Sequence, residues 1–277
     1  HVLSAVDSVA DIMGELTAKN LTHRVRMIYT ETPANPTGKL IDLSILEGMK
    51  NELNKQNELP VISAVDNTYL GPIWQNPIEI GTDLVCYSAT KFLNGHSDVI
   101  AGAVMGSKEH IGPVKGLRTF LGGMIAPYTA WLLTRSLETL HVRMDYQTKN
   151  ASQIAAYLEQ HEKVTRVYFP GLASMGARQN AIYANQCKAP GAMISFVVQG
   201  EEAGAFRFLN NLKLIKLAVS LGSNESLAQH PFSMTHANVP DEEKISTGVA
   251  LGLVRLSVGI EHAEDLIADL AQALEKV

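Results

Sequence analysis

A chain of 277 residues with 46% hydrophobic and 18% charged side chains is long and apolar enough to bury a substantial core, which excludes a disordered chain. Its net charge of -5, with no long basic run, argues against a nucleic-acid surface, and no apolar run reaches transmembrane length. Two cysteines, Cys86 and Cys187, make no disulfide framework, and no signal-peptide pattern is present, so a reducing, cytoplasmic setting is expected.

Val2, Val6, Val9, Ala10 and Met13 recur at helical spacing. Val25 to Tyr29 reads as a short strand, and the loop Glu31 to Gly38 holds two prolines and a glycine. Asp42 is an N-cap for a helix over Leu43 to Leu53, and Val61 to Val65 is the next strand. Strand, loop, helix, strand is the rhythm of a parallel α/β sheet. Ile73 to Ile80 is a proline-containing connector, and Asp83 to Tyr87 a further strand. Val99 to Met105 reads as a buried strand with Gly102 inside it, and Ser107 to Thr119 as a helix broken near Gly112-Pro113.

From Pro127 to about Gln160 the pattern is helical, one helix or a pair, and it carries the chain out of a first domain into a second. The boundary is placed near residue 142, giving domains 1–142 and 143–277. The second domain alternates again: strands at Val164 to Tyr168, Ala192 to Val198 and Leu253 to Val258, an apolar run from Leu214 to Leu221, and helices at Ala203 to Leu212 and Ala263 to Leu274. An antiparallel or mixed α/β sandwich is expected there.

The candidate chemistry lies where two apolar strands end. One runs into Ser88-Ala89-Thr90-Lys91, the other into Asp66-Asn67-Thr68. Strand ends form the ligand edge of an α/β sheet. A lysine there is costly to bury unless it is paired or used covalently. The hydroxyls of Ser88 and Thr90 are suited to phosphate, and Asp66 to a protonated ring nitrogen. Spacing alone leaves open a surface lysine on a loop and a simple Asx turn at Asp66.

The stretch Ser88-Ala89-Thr90-Lys91-Phe92-Leu93-Asn94-Gly95-His96-Ser97-Asp98 resembles the cofactor-lysine motif of the Cys/Met-metabolism family of pyridoxal-phosphate enzymes. Four more segments resemble that family in its own order: Glu31 to Pro36, Asp66-Asn67-Thr68-Tyr69, Ser220 to Pro231, and Arg255-Leu256-Ser257-Val258-Gly259. The resemblance implies an α/β fold of the fold-type I, transferase-like class, with a pyridoxal 5'-phosphate-binding large domain and a smaller C-terminal α/β domain. It implies that Lys91 holds the cofactor and then moves the alpha proton, that Asp66 pairs with the ring nitrogen, and that Ser88 and Thr90 bind phosphate. Arg255 and Ser220 would take the substrate carboxylate, with Asn35 between carboxylate and ring oxygen. Arg255 as a domain-packing ion pair is the alternative. His96, Asp98 and His230 are expected to be structural, and no metal is implied.

Set against the family pattern, the large domain is expected to lack its N-terminal part. With it would go an aromatic residue stacking on the cofactor ring, a glycine-rich phosphate turn, and a tyrosine and arginine lent to a neighbouring subunit. Gln229-His230-Pro231 followed by Ser233-Met234-Thr235-His236 points within the family to γ-elimination on L-methionine, giving methanethiol, 2-oxobutanoate and ammonia. The alternatives are γ-elimination of cystathionine, γ-replacement forming cystathionine, and thiol addition to an O-acylhomoserine. An inactive fragment or scaffold subunit is the alternative of another class. The partners implied are a sulfur-containing amino acid and further copies of the chain, as a dimer of dimers, with no nucleic acid and no membrane.

Overall fold

The computed structural model describes residues 8–277. Helix α1 (Val9–Ala18) starts at Ser8, whose hydroxyl accepts from the Asp11 N–H at 3.2 Å. Val2 and Val6, which share its spacing, lie outside the described residues. Strand β1 (Met27–Glu31) leads through the proline loop to α2 (Leu43–Asn54), capped as expected by Asp42, which accepts from the Ser44 N–H at 2.9 Å. Strand β2 (Ile62–Asp66) lies parallel to β1, and β3 (Leu84–Ser88) lies parallel to β2. Two single-turn helices, α3 (Gly71–Trp74) and α4 (Pro77–Ile80), occupy the connector between them.

Strand β4 (Gly102–Gly106) runs antiparallel to β3, so the parallel rhythm stops there. The cause is the connection. The segment between the strands is a run of turns with no crossover helix, and a parallel return needs one. Helix α5 (Lys108–Leu121) also differs from expectation, because Pro113 sits inside it and does not break it. None of its residues is buried, so water can satisfy the carbonyl that Pro113 leaves without a donor.

Helices α6 (Pro127–Leu137) and α7 (Leu140–Glu159) form the expected pair, and residue 142 falls inside α7. Next come β5 (Val164–Tyr168), α8 (Ala177–Gln186), β6 (Met193–Val198), α9 (Glu201–Asn210), β7 (Lys216–Leu217), β8 (Leu227–Gln229), α10 (Asp241–Thr247), β9 (Leu253–Ser257) and α11 (Ala263–Leu274). The second sheet has the order β5-β6-β9-β8-β7. Only the β7–β8 pair is parallel, which makes the sheet mixed. The apolar run at 214–221 supplies just the two-residue β7.

The main core joins both halves. Ile154 and Leu158 of α7 pack in one cluster with Phe196 of β6, Phe208 of α9, Val254 of β9, Leu266 of α11 and, from the first sheet, Val85. A second cluster sets Ile12 and Leu16 of α1 against Leu43, Leu46 and Leu53 of α2 and Val65 of β2. Each fully buried side chain of this kind contributes about 1.5–3 kcal/mol of transfer free energy. Against the expected large domain without its N-terminal part stands the architecture of the described residues themselves. Residues 8–277 build an α/β architecture in which both sheets have buried cores and α7 packs across the junction.

A buried ion pair ties α2 to the first sheet. Lys50 Nζ lies 3.0 Å from Asp83 Oδ2 and 2.9 Å from Glu47 Oε2, and Asp83 also accepts from the Ser63 N–H at 2.8 Å. Burial alone would push the Asp83 carboxyl up, but the Ser63 N–H and Lys50 outweigh it and hold it below its ordinary value. A depressed carboxyl contributes stability that is complete above its unfolded pKa and is lost as pH falls through the folded one. Asp83→Asn is therefore expected to cost roughly 1–3 kcal/mol at neutral pH. The gap to wild type should close below the ordinary carboxylate range, as urea unfolding at a series of pH values would measure.

Candidate active site

The lysine loop leaves β3 at Ser88 and folds at once into successive turns. The Lys91 N–H donates to Ser88 O at 3.0 Å, the Asn94 N–H to Ala89 O at 3.0 Å, and the Gly95 N–H to Lys91 O at 2.7 Å. Arg143 of α7 fixes the outer side of this loop. Its Nη1 donates to Phe92 O at 3.0 Å, and its Nη2 to Ser136 O at 3.0 Å and to Leu93 O at 3.4 Å. This guanidinium is buried on backbone carbonyls, and burial draws its pKa down. On the other side the loop meets the segment between β7 and β8. The Asn224 N–H donates to Gly95 O at 2.9 Å, and Ser97 Oγ to Ser223 Oγ at 2.9 Å. Gly222, at φ +75, packs so closely that an added Cβ would lie 2.7 Å from Phe92 N.

Lys91 is thus held by its backbone while its amine stays available. Among the described residues that amine makes no hydrogen bond or ion pair. Partial burial pushes its pKa below the ordinary lysine value, and the Arg255 charge adds to the effect. Burial in a half-open place without a partner is unfavourable for an ammonium and favours the neutral, nucleophilic form.

Asp66 ends β2 in register with Glu31 of β1 and Cys86 of β3. Its Oδ1 accepts from the Thr68 N–H at 2.9 Å, which is the Asx turn that the sequence left open. Its Oδ2 accepts from Tyr29 Oη at 3.3 Å, and partial burial together with Asp66 pushes the Tyr29 hydroxyl up to about 12. The turn and the carboxylate's availability are compatible, since a carboxylate has lone pairs to spare. Thr68 Oγ1 accepts from the Ser88 N–H at 2.9 Å and so links the two strand ends. The Ser88 hydroxyl is half-buried and has no hydrogen-bond partner among the described residues. Thr90 differs, because its hydroxyl donates to Ala101 O at 3.2 Å and accepts from the Ala101 N–H at 3.0 Å.

Arg255 stands in the middle of β9, between Ser195 of β6 and Gln229 of β8. It is 2% exposed, and burial draws its pKa down against the opposing influence of Tyr69 and Glu31. Its Nη1 donates to Asn35 Oδ1 at 3.0 Å, and its Nη2 to Val219 O at 2.8 Å and Ser220 O at 3.1 Å. Gln229, with its amide oxygen turned to the guanidinium as the surrounding donors require, accepts from Nη1 at 2.9 Å. Asn35 is held further by its own N–H, 3.3 Å from Glu31 Oε2, and Ser195 Oγ pins the next carbonyl, Pro36 O, at 2.6 Å.

The structure therefore joins Asn35, Arg255 and the Ser220 backbone directly and sets Lys91 within the electrostatic reach of Arg255. Thr90 and Ser220 line one cavity of about 490 Å³ with Ser97, Asp98 and Glu225. A larger apolar cavity of about 710 Å³ lies between α1, α2 and β1, and neither Lys91 nor Asp66 lines it. His230 is buried, its ring nitrogens 2.8 Å from Ser233 Oγ and 2.7 Å from Leu251 O. His96 meets Asn94 O at 2.6 Å, and Asp98 accepts from Asn94 Nδ2 at 2.9 Å. Glu31, Tyr69, Arg143 and Gln229 are part of this arrangement. Glu31, Tyr69 and Gln229 lie inside motif segments of the sequence but had no role assigned, and Arg143 had only the signal of an arginine amid the apolar positions of a long helix.

These residues fit pyridoxal phosphate. They offer an unpaired amine of lowered pKa, a carboxylate at the neighbouring strand end, an unpaired hydroxyl and a buried guanidinium. The family model for the Cys/Met metabolism PLP-dependent enzymes matches residues 4–275. L-methionine gamma-lyase of Fusobacterium nucleatum subsp. polymorphum is 44% identical over 254 residues, which is 91% of this chain and 62% of the relative. The crystal structure of cystathionine gamma synthase from Xanthomonas oryzae pv. oryzae, in complex with aminoacrylate and cysteine, superposes with a TM-score of 0.87 at 39% identity, covering 97% of this chain and 65% of that one. That of cystathionine gamma-lyase from Lactobacillus plantarum, complexed with L-serine, gives 0.89 at 34% identity, covering 100% and 69%. Against the expectation of a truncated domain, solved folds accompany 97% and 100% of this chain, and the chain spans less than two thirds of the length of that curated relative. Motifs, fold and comparisons agree: the chain belongs to the Cys/Met metabolism family of pyridoxal-phosphate-dependent enzymes.

Proposed function

We propose that the protein is a carbon–sulfur lyase that carries out γ-elimination on L-methionine or a close sulfur amino acid. With methionine and water the products are methanethiol, 2-oxobutanoate and ammonia. The observation that carries this reading is the Lys91 amine, half-buried, unpaired, of lowered pKa, at a strand end that also presents Asp66. The similarity to an L-methionine gamma-lyase at 44% identity supports the choice of substrate.

Bound pyridoxal phosphate supplies the electron sink that makes the bond α to an amine acidic. Lys91 would hold the cofactor covalently through Nζ. The Lys91 amine would be the base for the alpha proton, a role that its lowered pKa favours. Asp66 sustains a positive ring nitrogen, and Ser88 supplies a hydroxyl to the phosphate. Thr90 reaches phosphate only by releasing one of its bonds to the Ala101 backbone. Arg255 and Asn35 orient the substrate by its carboxylate, so that the bond to be broken faces Lys91.

The similarity to a cystathionine gamma synthase favours γ-replacement as the second reading. Assembly as a dimer of dimers is part of the same proposal, supported by the exposed apolar side chains Phe120, Leu121, Met124, Tyr128 and Trp131 on and between α5 and α6. No helix among the described residues is long and apolar enough to cross a membrane. A cytoplasmic setting is proposed on the two free cysteines.

The test is incubation of the cofactor-loaded protein with methionine, cystathionine or O-acetylhomoserine, with and without added thiol. Methanethiol and 2-oxobutanoate from methionine alone are expected. Turnover confined to the acylated substrate plus thiol would replace elimination by γ-replacement. Lys91→Ala should abolish both the visible absorbance of the bound cofactor and product release. In the cofactor-free chain, capture of pyridoxal phosphate should rise with pH through a midpoint below the ordinary lysine value near ~10.4, because the neutral amine is the reacting form.

A further inference from the structure

We infer that Tyr69 is a positioning residue that locks the Asn35 amide with its NH2 toward the ligand, so that the site selects an anionic oxygen at that point. The inference rests on the reading of Lys91 and Arg255 as cofactor and carboxylate sites.

Tyr69 follows Asp66 in the turn after β2 and is 4% exposed. Its hydroxyl donates to Asn35 Oδ1 at 2.6 Å, and it also meets the Arg255 guanidinium. The same Oδ1 accepts from Arg255 Nη1 at 3.0 Å. An amide oxygen has two lone pairs, and both are taken.

The direction of every bond in this cluster is forced. A guanidinium only donates, so toward Arg255 the tyrosine oxygen can only accept. Its one proton must then go to Asn35. Asn35 in turn can offer no acceptor to a bound molecule, only the two N–H groups of Nδ2. A pair of donors beside a buried guanidinium is complementary to a carboxylate or to another anionic oxygen. It is poorly matched to an amide or ester, which presents weaker acceptors. Burial raises the Tyr69 pKa strongly, and the hydroxyl accordingly remains a donor throughout the working range.

Phenylalanine fills the same space but frees one lone pair of Asn35. The amide oxygen still keeps its bond from Arg255, so no buried acceptor is stranded and the fold should tolerate the change. What is lost is the second restraint on the amide's orientation.

The experiment uses the full chain loaded with pyridoxal phosphate, and reads ligand binding from the change in cofactor absorbance. One probe is glycine, which carries amine and carboxylate. The other is 3-(methylthio)propylamine, which is methionine without its carboxylate. Tyr69→Phe should weaken glycine about tenfold, the effect of one hydrogen bond, and raise KM for methionine similarly. Binding of the amine without carboxylate, kcat and the unfolding midpoint should all stay near wild type. Asn35→Asp, of the same size but with no N–H to offer and a negative charge facing the ligand carboxylate, should weaken glycine more than Tyr69→Phe does, and adding Tyr69→Phe to it should cost little more. Unchanged glycine binding, equal weakening of both probes, or full additivity of the two substitutions would overturn the inference. Absence of cofactor absorbance in the wild type would instead remove the reading beneath it.

Discussion

A guanidinium with almost no exposed surface governs this structure. Arg255 lies in the centre of the second sheet, where removal of its charge from water is tolerable only if its N–H groups find acceptors. It finds them in Asn35, Val219, Ser220 and Gln229, which come from three separate segments. The buried charge therefore does the work of assembly, because it draws the loop after β1 and the loop after β7 to one point. That point faces the lysine loop. Lys91's own partial burial, and after it the Arg255 charge, lower the Lys91 pKa, so the buried guanidinium contributes to reactivity as well as to architecture.

The lysine loop shows the same economy. Arg143 uses its donors on the carbonyls of Phe92 and Leu93, and Gly222 brings the segment between β7 and β8 against the backbone of Phe92. Neither touches the Lys91 side chain. They hold its backbone rigid while leaving the amine without a partner, which is what a covalent anchor that must later move a proton requires. Glutamines of α8 do similar work beyond the site. Gln179 bonds both the N–H and the carbonyl of Leu40, and Gln186 bonds Leu43 N–H and Ile41 O, so the segment that follows the Asn35 loop is clamped at two places.

Most of the scaffold was legible in the sequence, and the reasons are physical. Apolar runs that end in Asp66 and Ser88 mark buried strands, and the long apolar face of 127–160 marks a helix pair. The turn of direction at β4 was not legible, because strand polarity is set by the connection and not by the strand's own residues. Helix α8 was missed since it has one buried residue, Ile182, and so almost no apolar stripe; its polar glutamines are its function. The candidate site was legible where a motif carried it, at Lys91, Asp66 and Arg255. The contacts of Tyr69, which stood in a motif without a role, and of Arg143 were not, because they reach across 34 and 51 positions of chain. The Asx turn and the Thr90–Ala101 bonds show the other limit: a polar side chain in a motif can serve the backbone as well as a ligand.

The central claim is that one lysine among many is built to hold the cofactor. Borohydride reduction of the loaded protein followed by peptide mapping by mass spectrometry tests it most directly. The account predicts the pyridoxyl phosphate group on the peptide containing Lys91 and on no other. Label on a different lysine, such as the ion-paired Lys50, or spread evenly over exposed lysines, would contradict it.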